Sequence, residues 1–266
     1  MSDPAHSPSG ASPRDSSKAS ESTARAIRKM FAAVAPRYDF LNHFLSLRRD
    51  IAWRKATAKA VQGALERPGS RVADLCCGTG DLAFELERYS AGRVFATDFC
   101  HPMLVLAKRK ALGRASLFLE ADTLALPFPD DFLDLATLAF GFRNLASYPR
   151  GLEEIRRVLK PRGILAILEF SEVPGILLGP LFRFYFRHVL PRIGSWISGV
   201  PGPYQYLHDS VAKFPNQQAL AELLNSEGFQ NVRYINFTGG IAALHLAEKP
   251  SRRSQKSGVR NQKSVQ

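Results

Sequence analysis

The sequence predicts an α/β protein built around a doubly wound sheet of seven strands, with helices on both faces of the sheet. Two observations carry this prediction. Five short apolar runs alternate with helical stretches between positions 71 and 171, which is the pattern of parallel strands buried on both faces. Near the C-terminus, two further strand-like segments are separated by Gly239 and Gly240, a pair that favours the tight turn of a hairpin.

The segment before the first strand is predicted to form a helical lid over residues 23–67. A helix over 26–34 ends before Pro36, whose ring cannot continue a helix. A second helix over 50–65 has Asp50 as its N-cap and carries an apolar stripe at helical spacing. The stripe consists of Ile51, Ala52, Ala56, Ala60, Val61, Ala64 and Leu65.

The alternation of strands and helices then runs through most of the chain. The five parallel strands are predicted over 71–77, 93–99, 116–122, 133–141 and 163–171. The helices between them are predicted over 81–89, 102–112 and about 152–159. After an insertion over 173–210, a helix over 217–225 leads to the hairpin strands 232–238 and 241–249.

Both ends of the chain are predicted to lie outside the folded domain. Residues 1–22 consist almost wholly of Ser, Ala, Pro, Asp and Gly, and residues 251–266 are polar and basic. Neither stretch can bury enough apolar surface to offset its ordering entropy, so both are predicted to be disordered tails. The intervening residues, 23–250, suffice for one domain that includes the lid and the insertion.

Composition and charge narrow the function classes. Half of the net charge of +12 comes from a C-terminal run without an acidic residue: Lys249, Arg252, Arg253, Lys256, Arg260 and Lys263. That placement favours a loose attraction to anionic surfaces over specific nucleic-acid recognition. The three cysteines lack paired spacing and the six histidines are scattered, so no metal is expected. Without a signal peptide or a spanning apolar segment, the expected location is cytoplasmic.

The first predicted strand ends in a glycine-rich loop, Asp74-Leu75-Cys76-Cys77-Gly78-Thr79-Gly80. Its two glycines allow a tight turn and a close approach of the backbone to a ligand. Asp98 ends the second strand, where a carboxylate can accept both hydrogen bonds of a ribose diol, and Asp122 ends the third. The spacing Gly78-x-Gly80-x-x-Ala83 fits a dinucleotide fingerprint, but the same residues also fit S-adenosylmethionine.

Three features favour S-adenosylmethionine over NAD as the cofactor. Asp74 can hold the ammonium of the methionine end, directly or through water, and Asp122 can reach the edge of the adenine. The sheet also ends in a hairpin, not in a second nucleotide-binding half. An NAD-dependent oxidoreductase stays the alternative from another enzyme class, although the chain leaves too little length for its second domain. A non-catalytic subunit that binds S-adenosylmethionine also stays open.

The motifs resemble class I S-adenosylmethionine-dependent methyltransferases, which share a Rossmann-like fold. Within that class the chain resembles the ubiquinone/menaquinone biosynthesis C-methyltransferases, the UbiE-type family. The segments that carry this resemblance are PRYDFLNHFLSLRRDIAW (36–53), FGFRNL (140–145), RVLKPRG…LEFS (157–171), HVLPRIG (188–194), YQYLHDSV (204–211) and FTGGIAALH (237–245). They extend from about residue 31 to residue 249, and generic methyltransferases do not share them.

The resemblance implies transfer of a methyl group to a ring carbon of a prenylated hydroquinone, in the first place demethylmenaquinol to menaquinol. A bifunctional enzyme that also methylates the ubiquinone precursor stays the alternative. The resemblance further implies that Thr79, Asp98 and the Asp122–Thr123 pair contact the cofactor. Arg143 and Asn144 then lie beside the methyl acceptor.

For catalysis we hypothesise that Arg143 stabilises the phenolate of the acceptor, directly or through water. Asn144 and Tyr206 would position the acceptor ring. Tyr38 and Asp39 have two equally weighted interpretations, as lid residues over the cofactor or as helix-packing and N-capping residues. The three cysteines are expected only to pack, because the sequence places no partner beside them for nucleophilic chemistry.

A prenylated substrate resides in the bilayer, so the insertion is a candidate for membrane contact. Residues 173–201 place aromatic and aliphatic side chains on one helical face and Arg183 and Arg187 on another, which suits transient contact with the inner membrane surface. A helix packed over the substrate site is the preferred alternative. A homodimer is left open.

The chain departs from the family pattern at five positions. Cys76 and Arg162 each stand where the pattern has glycine, and both changes are expected to have little effect. Asp50 and Leu41 stand where one form of the motif has His and Met. Ala139 falls where a polar contact is often found. These departures do not change the predicted activity, but they leave the choice between the quinone substrates less defined.

Overall fold

Seven strands form one sheet in the computed structural model, which describes residues 25–33, 35, 39, 43, 46–171 and 203–251. In chain order the strands are β1 (Arg71–Leu75), β2 (Arg93–Asp98), β3 (Leu117–Glu120), β4 (Leu133–Ala139), β5 (Leu159–Phe170), β6 (Gln230–Phe237) and β7 (Ala242–Glu248). Strands β1 to β5 pair in parallel, whereas β7 runs antiparallel to both β5 and β6. The spatial order β3-β2-β1-β4-β5-β7-β6 confirms the predicted doubly wound sheet with its terminal hairpin.

Helices connect the strands and cover the sheet. They are α1 (Arg49–Ala60), α2 (Gln62–Leu65), α3 (Asp81–Glu87), α4 (His101–Lys110), α5 (Tyr148–Val158), α6 (Pro203–Lys213) and α7 (Gln217–Ser226). Residues 25–33 are also helical, and short 3₁₀ turns form at Phe142–Asn144 and Thr238–Gly240. Among the described parts of the chain, no helix combines the length and the apolarity needed to cross a membrane.

Apolar side chains pack against both faces of the sheet. On one face, α1, α2 and α3 contribute buried residues that include Trp53, Leu65 and Leu82. On the other face, α5 and α7 contribute buried residues that include Ile155 and Leu224. Consecutive residues of a strand face opposite sides, so each strand supplies side chains to both clusters. Burial on both faces explains why the strands have continuous apolar sequences.

The path of the chain opens a crevice at one edge of the sheet. From β1 the chain proceeds outward to β2 and β3, and then returns to β4 on the other side of β1. The connections after β1 and β4 therefore leave in opposite directions. In doubly wound sheets this reversal separates the loops and creates the ligand site at the carboxyl ends of the strands.

The predicted helix over 50–65 is wrong in its cap, and its predicted buried stripe is confirmed only at Val61, Ala64 and Leu65. Val61 interrupts the helix, and Arg48, which has a left-handed backbone, occupies the N-cap position without a side-chain hydrogen bond. The buried residues of α1 are Asp50, Trp53, Arg54, Thr57 and Ala58. Of the predicted stripe, Ala52 and Ala60 are exposed. The apolar pattern did not predict the buried face of α1 because this face carries polar side chains. These side chains can be buried because they have hydrogen-bond partners there.

Strand ends also differ from the predicted ends. β1 ends at Leu75 and β4 at Ala139, so the two cysteines that follow β1 belong to a loop. β3 ends at Glu120, and Asp122 lies beyond it in a turn, where the carbonyl oxygen of Asp122 accepts a hydrogen bond from the Ala125 backbone. β5 begins earlier than predicted because its pairing with β4 shifts register near Leu133. Loops lengthened in this way supply most of the residues around the crevice.

Lys249 is the first residue of the basic C-terminal run, and its side chain is buried in the folded domain. Its ammonium group donates 2.7 Å hydrogen bonds to Asp131 Oδ1 and to the carbonyl oxygen of Leu159, and the residue is 8% exposed. This group holds the end of β7 against the start of β5. The predicted tails, apart from Ser251, and residues 172–202 of the insertion region lie outside the described residues.

Arg162 offers a stability test, since its φ of 66° lies in the left-handed region that favours glycine. We expect Arg162→Gly to raise the free energy of unfolding by about 0.5 to 1 kcal/mol, because relief of backbone strain exceeds the added entropy of the unfolded chain. The 2.9 Å hydrogen bond from its backbone to the carbonyl of Lys249 is kept. Urea denaturation measures the change.

The matched control is Arg67→Gly, an exposed loop arginine whose φ is not positive. That substitution only adds freedom to the unfolded chain, so we expect it to lower stability by up to about 1 kcal/mol. Equal effects of the two substitutions would show that the backbone of Arg162 carries no strain.

Candidate active site

A single cleft at the carboxyl ends of the strands collects most of the predicted site residues. It lies between the loops that follow β1, β2, β3 and β4 and is open to solvent. Seven of the ten predicted residues line it: Asp74, Gly78, Thr79, Asp98, Asp122, Thr123 and Asn144. The other three, Gly80, Arg143 and Tyr206, lie next to lining residues.

The loop after β1 turns sharply into α3 through its glycines. Gly78 and Gly80 have φ values of 55° and 88°, which glycine adopts without the steric cost that a side chain adds. A Cβ at Gly80 would approach the ring of Phe84 to 2.9 Å. The loop is also held to β2, because the Cys77 backbone donates a 2.9 Å hydrogen bond to the carbonyl of Thr97. The predicted glycine turn is therefore present and packed closely.

Asp74 lies at the bottom of the cleft with half of its carboxylate unused. Its Oδ1 accepts a 2.9 Å hydrogen bond from the hydroxyl of Thr137 on β4. Its Oδ2 is buried and has no hydrogen-bond partner among the described residues. Burial raises the pKa of Asp74 to about 7, against the lowering effects of the Thr137 hydroxyl, the charge of Arg54 and the nearby backbone N–H of Ala83. A buried acceptor without a partner is costly, so this oxygen is suited to a donor brought by a ligand.

Asp98 ends β2 and is fixed by the backbone on both sides. Its two carboxylate oxygens accept 2.8 Å hydrogen bonds from the backbone N–H groups of Gly78 and Cys100. Burial raises the pKa of Asp98 to about 6, and these two hydrogen bonds oppose the rise. Each oxygen keeps a second lone pair for a ligand. The Asp98 carboxylate is thus held in one orientation beside Gly78 of the Gly loop.

The loop after β3 meets the Gly loop through Cys76. The Cys76 thiol lies 3.3 Å from the hydroxyl of Thr123, and the Asp122 carboxylate accepts a 2.9 Å hydrogen bond from the Leu124 backbone. Burial raises the pKa values of the Cys76 and Cys77 thiols well above the usual range, so both thiols are protonated at neutral pH. They line the cleft as small polarisable groups and do not supply a thiolate nucleophile.

Two lining residues have strained backbones. Cys76 and Phe140 follow β1 and β4, and their φ values are 54° and 60°. Gly141 packs so closely against Cys76 that a Cβ added at Gly141 would lie 2.4 Å from the Cys76 Cβ. The cysteine that replaces a glycine in the Gly loop is therefore accommodated by a glycine on the neighbouring strand end.

This contact predicts compensating substitutions. Gly141→Ala is expected to destabilise the protein by about 1 to 3 kcal/mol, because the two Cβ atoms cannot both keep their positions. Adding Cys76→Gly removes the clash and should restore stability to within about 0.5 kcal/mol of the wild type. Thermal denaturation of the two single variants and the double variant checks this. Additive effects in the double variant would contradict the contact.

The N-terminal segment reaches the Gly loop through Asp39. The Lys110 ammonium donates hydrogen bonds of 2.8 Å to Asp39 Oδ2, 2.5 Å to Asp81 Oδ1 and 3.2 Å to the Thr79 hydroxyl. The Thr79 hydroxyl in turn donates to Asp39 Oδ1. Asp39 therefore lies at the rim of the Gly loop, as the lid interpretation expects. Tyr38 lies outside the described residues.

Aromatic and apolar side chains form the wall of the cleft near β4. Phe140 lines this side together with Leu145 and Ala146. Behind Phe140, the ring centroids of Phe170 and Trp53 lie 4.7 Å and 6.1 Å from that of Phe140. The lining is thus acidic at the ends of β1, β2 and β3, where Phe99 and Met103 add apolar surface, and it is apolar and aromatic next to β4.

The FGFRN segment places Asn144 at the cleft and Arg143 behind it. The Arg143 side chain is 6% exposed and its Nη1 donates hydrogen bonds of 2.7 Å to Glu169 Oε1 and 2.6 Å to the carbonyl of Phe140. Asn144 lines the cleft, and its Oδ1 accepts a 3.0 Å hydrogen bond from the Tyr206 hydroxyl on α6. The structure therefore brings the three predicted catalytic residues together, but only Asn144 faces the cleft.

Two lining or supporting residues were not predicted. Thr137 is a polar residue inside an otherwise apolar strand, which is a signal that the sequence contains. Arg54 on α1 lines the cleft and pairs with Asp50 one helical turn before it. The i, i+4 spacing of this pair is visible in the sequence, but nothing local shows that the pair faces inward. The predicted stripe had assigned the inward face to other residues of the helix.

The charges around the cleft distinguish between the two predicted cofactors. Four carboxylates line it, from Asp74, Asp81, Asp98 and Asp122, and Arg54 is the one cationic side chain among the described lining residues. This surface suits a ligand of net positive charge, as S-adenosylmethionine is, and disfavours the pyrophosphate of NAD. No group of three or more His, Cys, Asp or Glu side chains in the described part of the chain is arranged to hold a metal ion.

Fold and site together define a class I S-adenosylmethionine-dependent methyltransferase. The strand order, the Gly loop with its following carboxylates and the unpartnered oxygen of Asp74 all fit that cofactor. A solved S-adenosylmethionine-dependent methyltransferase from Thermotoga maritima has the same fold, with a TM-score of 0.59, 18% identity, and coverage of 83% of this chain and 98% of that one. Another from Aquifex aeolicus matches with a TM-score of 0.53 and 22% identity over 72% of this chain and 88% of that one.

The chain belongs to the ubiE/COQ5 methyltransferase family, which it matches over residues 17–249. It is 48% identical to the demethylmenaquinone methyltransferase of Thermus thermophilus, over 83% of this chain and all of that protein. It is 47% identical to the demethylmenaquinone methyltransferase of Deinococcus radiodurans, over 85% of this chain and 93% of that protein. A ubiquinone/menaquinone biosynthesis C-methyltransferase of Geobacter sulfurreducens is 42% identical, over 84% and 88% of the two chains. The resemblance in the sequence is thereby confirmed.

Proposed function

We propose that this methyltransferase converts demethylmenaquinol to menaquinol by methylating a ring carbon of the prenylated hydroquinone. The observation that carries the proposal is the cleft, which joins an acidic cofactor half to an apolar aromatic half at one opening. The names of the relatives from Thermus and Deinococcus support the naphthoquinol as substrate. The Geobacter relative, whose name includes ubiquinone, supports the bifunctional alternative.

In the cofactor half, each carboxylate has a separate task in the proposal. The free Oδ2 of Asp74 binds the ammonium of the methionine end. Asp98 accepts hydrogen bonds from the ribose diol, and Asp122 with Thr123 contacts the adenine side. Gly78, Thr79 and Gly80 let the backbone approach closely. S-adenosylmethionine, when bound, supplies an electrophilic methyl group on a positively charged sulfonium.

In the acceptor half, the protein must hold an electron-rich ring and exclude water. Phe140 and Leu145 supply a flat apolar wall for the ring, and a dry, aligned arrangement lowers the barrier for such a transfer. Asn144 faces this space, and its amide can hold an oxygen of the ring. Tyr206 fixes that amide by donating to its oxygen. Arg143 either stabilises the phenolate or holds the turn that carries Asn144.

The test is a mass-spectrometric assay with purified protein in detergent. The protein is incubated with S-adenosylmethionine and reduced demethylmenaquinone, and separately with the reduced ubiquinone precursor. A gain of one methyl group on the naphthoquinol alone supports the proposal, and a gain on both quinols establishes the bifunctional enzyme. Binding of S-adenosylmethionine without methylation of either quinol would contradict the proposed quinol substrate.

The proposal also includes transient contact with the membrane surface. A prenylated substrate must be reached at the bilayer, and the apolar and basic segment 173–201 suits an interfacial helix, although it lies outside the described residues. Flotation with anionic vesicles, for the full chain and for a variant with Arg183 and Arg187 replaced by Gln, tests this. Absence of the wild-type protein from the vesicle fraction would contradict the proposed membrane contact. Analytical ultracentrifugation without vesicles decides whether the protein is a homodimer.

A further inference from the structure

Arg54 is a buried cation at the wall of an acidic cleft, and it has no role in the binding of the cofactor or the acceptor ring proposed above. The residue is 9% exposed and lines the cleft together with four carboxylates. Its position on α1 is the inward face that the apolar pattern did not predict. Burying an arginine is costly unless its charge is used, so this placement requires a physical reason.

One side of the Arg54 guanidinium is already held by a rigid anchor. Its Nη1 donates to Asp50 Oδ2, which also lies 2.8 Å from His43 Nδ1, and Ser46 donates a 2.6 Å hydrogen bond to Asp50 Oδ1. Burial opposes ionisation of Asp50, but the charge of Arg54 and the Ser46 hydrogen bond outweigh it and lower the pKa. Asp50 therefore stays charged and fixes the guanidinium.

The other side of the guanidinium remains available. Arg54 makes no second hydrogen bond to a side chain or backbone group in the described part of the chain, while its planar group lies 5.4 Å from the centre of the Phe140 ring. A guanidinium fixed at one nitrogen and supported by an aromatic ring presents its remaining N–H donors in a set direction. Such a fork matches the two oxygens of a carboxylate.

Arg54 and Asp74 lie near enough for the charge of Arg54 to favour ionisation of Asp74. The two residues thus offer a positive and a negative group to one ligand. An α-amino acid end carries an ammonium and a carboxylate on the same carbon, which is the complementary pair. We propose that Arg54 binds the α-carboxylate of the methionine end of S-adenosylmethionine, while Asp74 binds its ammonium. This inference rests on the proposed function and adds a residue that recognises the cofactor.

The experiment compares S-adenosylmethionine with its decarboxylated form, which lacks only the carboxylate, and with S-adenosylhomocysteine, which keeps the carboxylate but lacks the methyl group. S-adenosylmethionine, S-adenosylhomocysteine and decarboxylated S-adenosylmethionine are titrated calorimetrically into the wild type, Arg54→Met and the control Arg49→Met. Arg49 is an exposed arginine on the same helix. We expect the wild type and Arg49→Met to prefer S-adenosylmethionine over its decarboxylated form by about 30-fold, a difference typical of one buried charge-assisted pair.

Arg54→Met should lose that preference. Its affinity for S-adenosylmethionine and S-adenosylhomocysteine should fall about 30-fold, and its affinity for the decarboxylated ligand should stay within about threefold of the wild type. Arg54→Lys keeps a charge beside Asp50 but loses the fork, so it should keep only part of the preference. Arg54→Lys also tests the role of the guanidinium if Arg54→Met does not fold.

Two results overturn the inference alone. One is a loss of affinity in Arg54→Met that is equal for the ligands with and without the carboxylate, because a merely structural role would affect both. The other is an unchanged preference in both Arg54 variants. A wild-type protein that binds none of the three ligands would instead overturn the proposed function, and the inference with it.

Discussion

Asp74→Asn is expected to weaken the binding of S-adenosylhomocysteine about 100-fold at pH 8. The carboxylate oxygen that would pair with the ligand's ammonium is buried and has no partner among the described residues, so the substitution removes the negative charge from a dry contact. Truncating one partner of a buried charged pair typically costs two or more powers of ten in affinity. Isothermal titration calorimetry measures the change directly.

The same carboxylate should make binding depend on pH. The pKa of Asp74 is about 7 in the free protein because burial penalises its charged form. Pairing with an ammonium requires the charged form, so the proton must be lost on binding below pH 7. Affinity should therefore fall about tenfold per unit as the pH drops from 7 to 6, and should level off above 7.

Below pH 6 a second group adds to this dependence. The pKa of Asp98 is about 6, and its carboxylate must also be charged to accept hydrogen bonds at full strength. Asp74→Asn should remove the step near pH 7 and leave the step near pH 6. Asp130→Asn is the control, since that carboxylate is 77% exposed and does not line the cleft. Wild-type affinity in Asp74→Asn would exclude Asp74 from the binding site.

Arg143→Met is expected to lower the free energy of unfolding by about 3 to 5 kcal/mol at pH 7, as breaking one side of a buried ion pair does. Its partner Glu169 is 1% exposed, so the carboxylate would be left without its counter-charge. Burial already raises the pKa of Glu169 above its ordinary value of 4.5, against the opposing effect of Arg143. Urea denaturation measures the loss of stability.

The sign of the pH dependence follows from that pKa. Without Arg143, folding holds Glu169 protonated at pH values where the unfolded chain ionises it. The penalty is thus present at neutral pH and shrinks as the pH falls toward 4.5. Adding Glu169→Met removes the unpaired carboxylate and should recover most of the stability. Arg150→Met, at an exposed position, is the control and should change stability by less than about 0.5 kcal/mol.

The double variant also separates the two roles proposed for Arg143. If the guanidinium acts only by holding the 3₁₀ turn that carries Asn144, kcat should recover along with the stability. If the guanidinium stabilises the phenolate, kcat should stay low in a protein that is as stable as the wild type. Stability of Arg143→Met equal to that of the wild type would contradict the buried pair itself.

Motifs and periodicity predicted the fold and most of the polar residues that line the cleft. The alternation of apolar runs and helices is a local pattern, and the strand order follows from it by general rules of doubly wound sheets. The Gly loop and Asp98 could be assigned because the needs of a tight turn and of a ribose diol are met by residue types at fixed spacing. The family resemblance supplied Arg143, Asn144 and Tyr206.

The buried face of α1 could not be predicted from motifs and periodicity. Its apolar residues suggested one buried side, but the helix buries Asp50 and Arg54. Hydrophobic patterning assumes that the buried side of a helix meets apolar surface. Here part of that side meets a polar cleft, where burial depends on partners distant in the sequence or on a ligand.

The architecture, the class of cofactor and the family could all be read from the amino-acid sequence alone. These depend on local periodicity and on short motifs, which are properties of neighbouring residues. The tertiary structure was needed to show that Arg54 lines the same cleft as Asp74, that Gly141 makes room for Cys76, and that Arg143 is paired with Glu169. Each of these contacts joins separate elements of the chain, and the energy of a buried charge or a close approach depends on the group that lies opposite it in space.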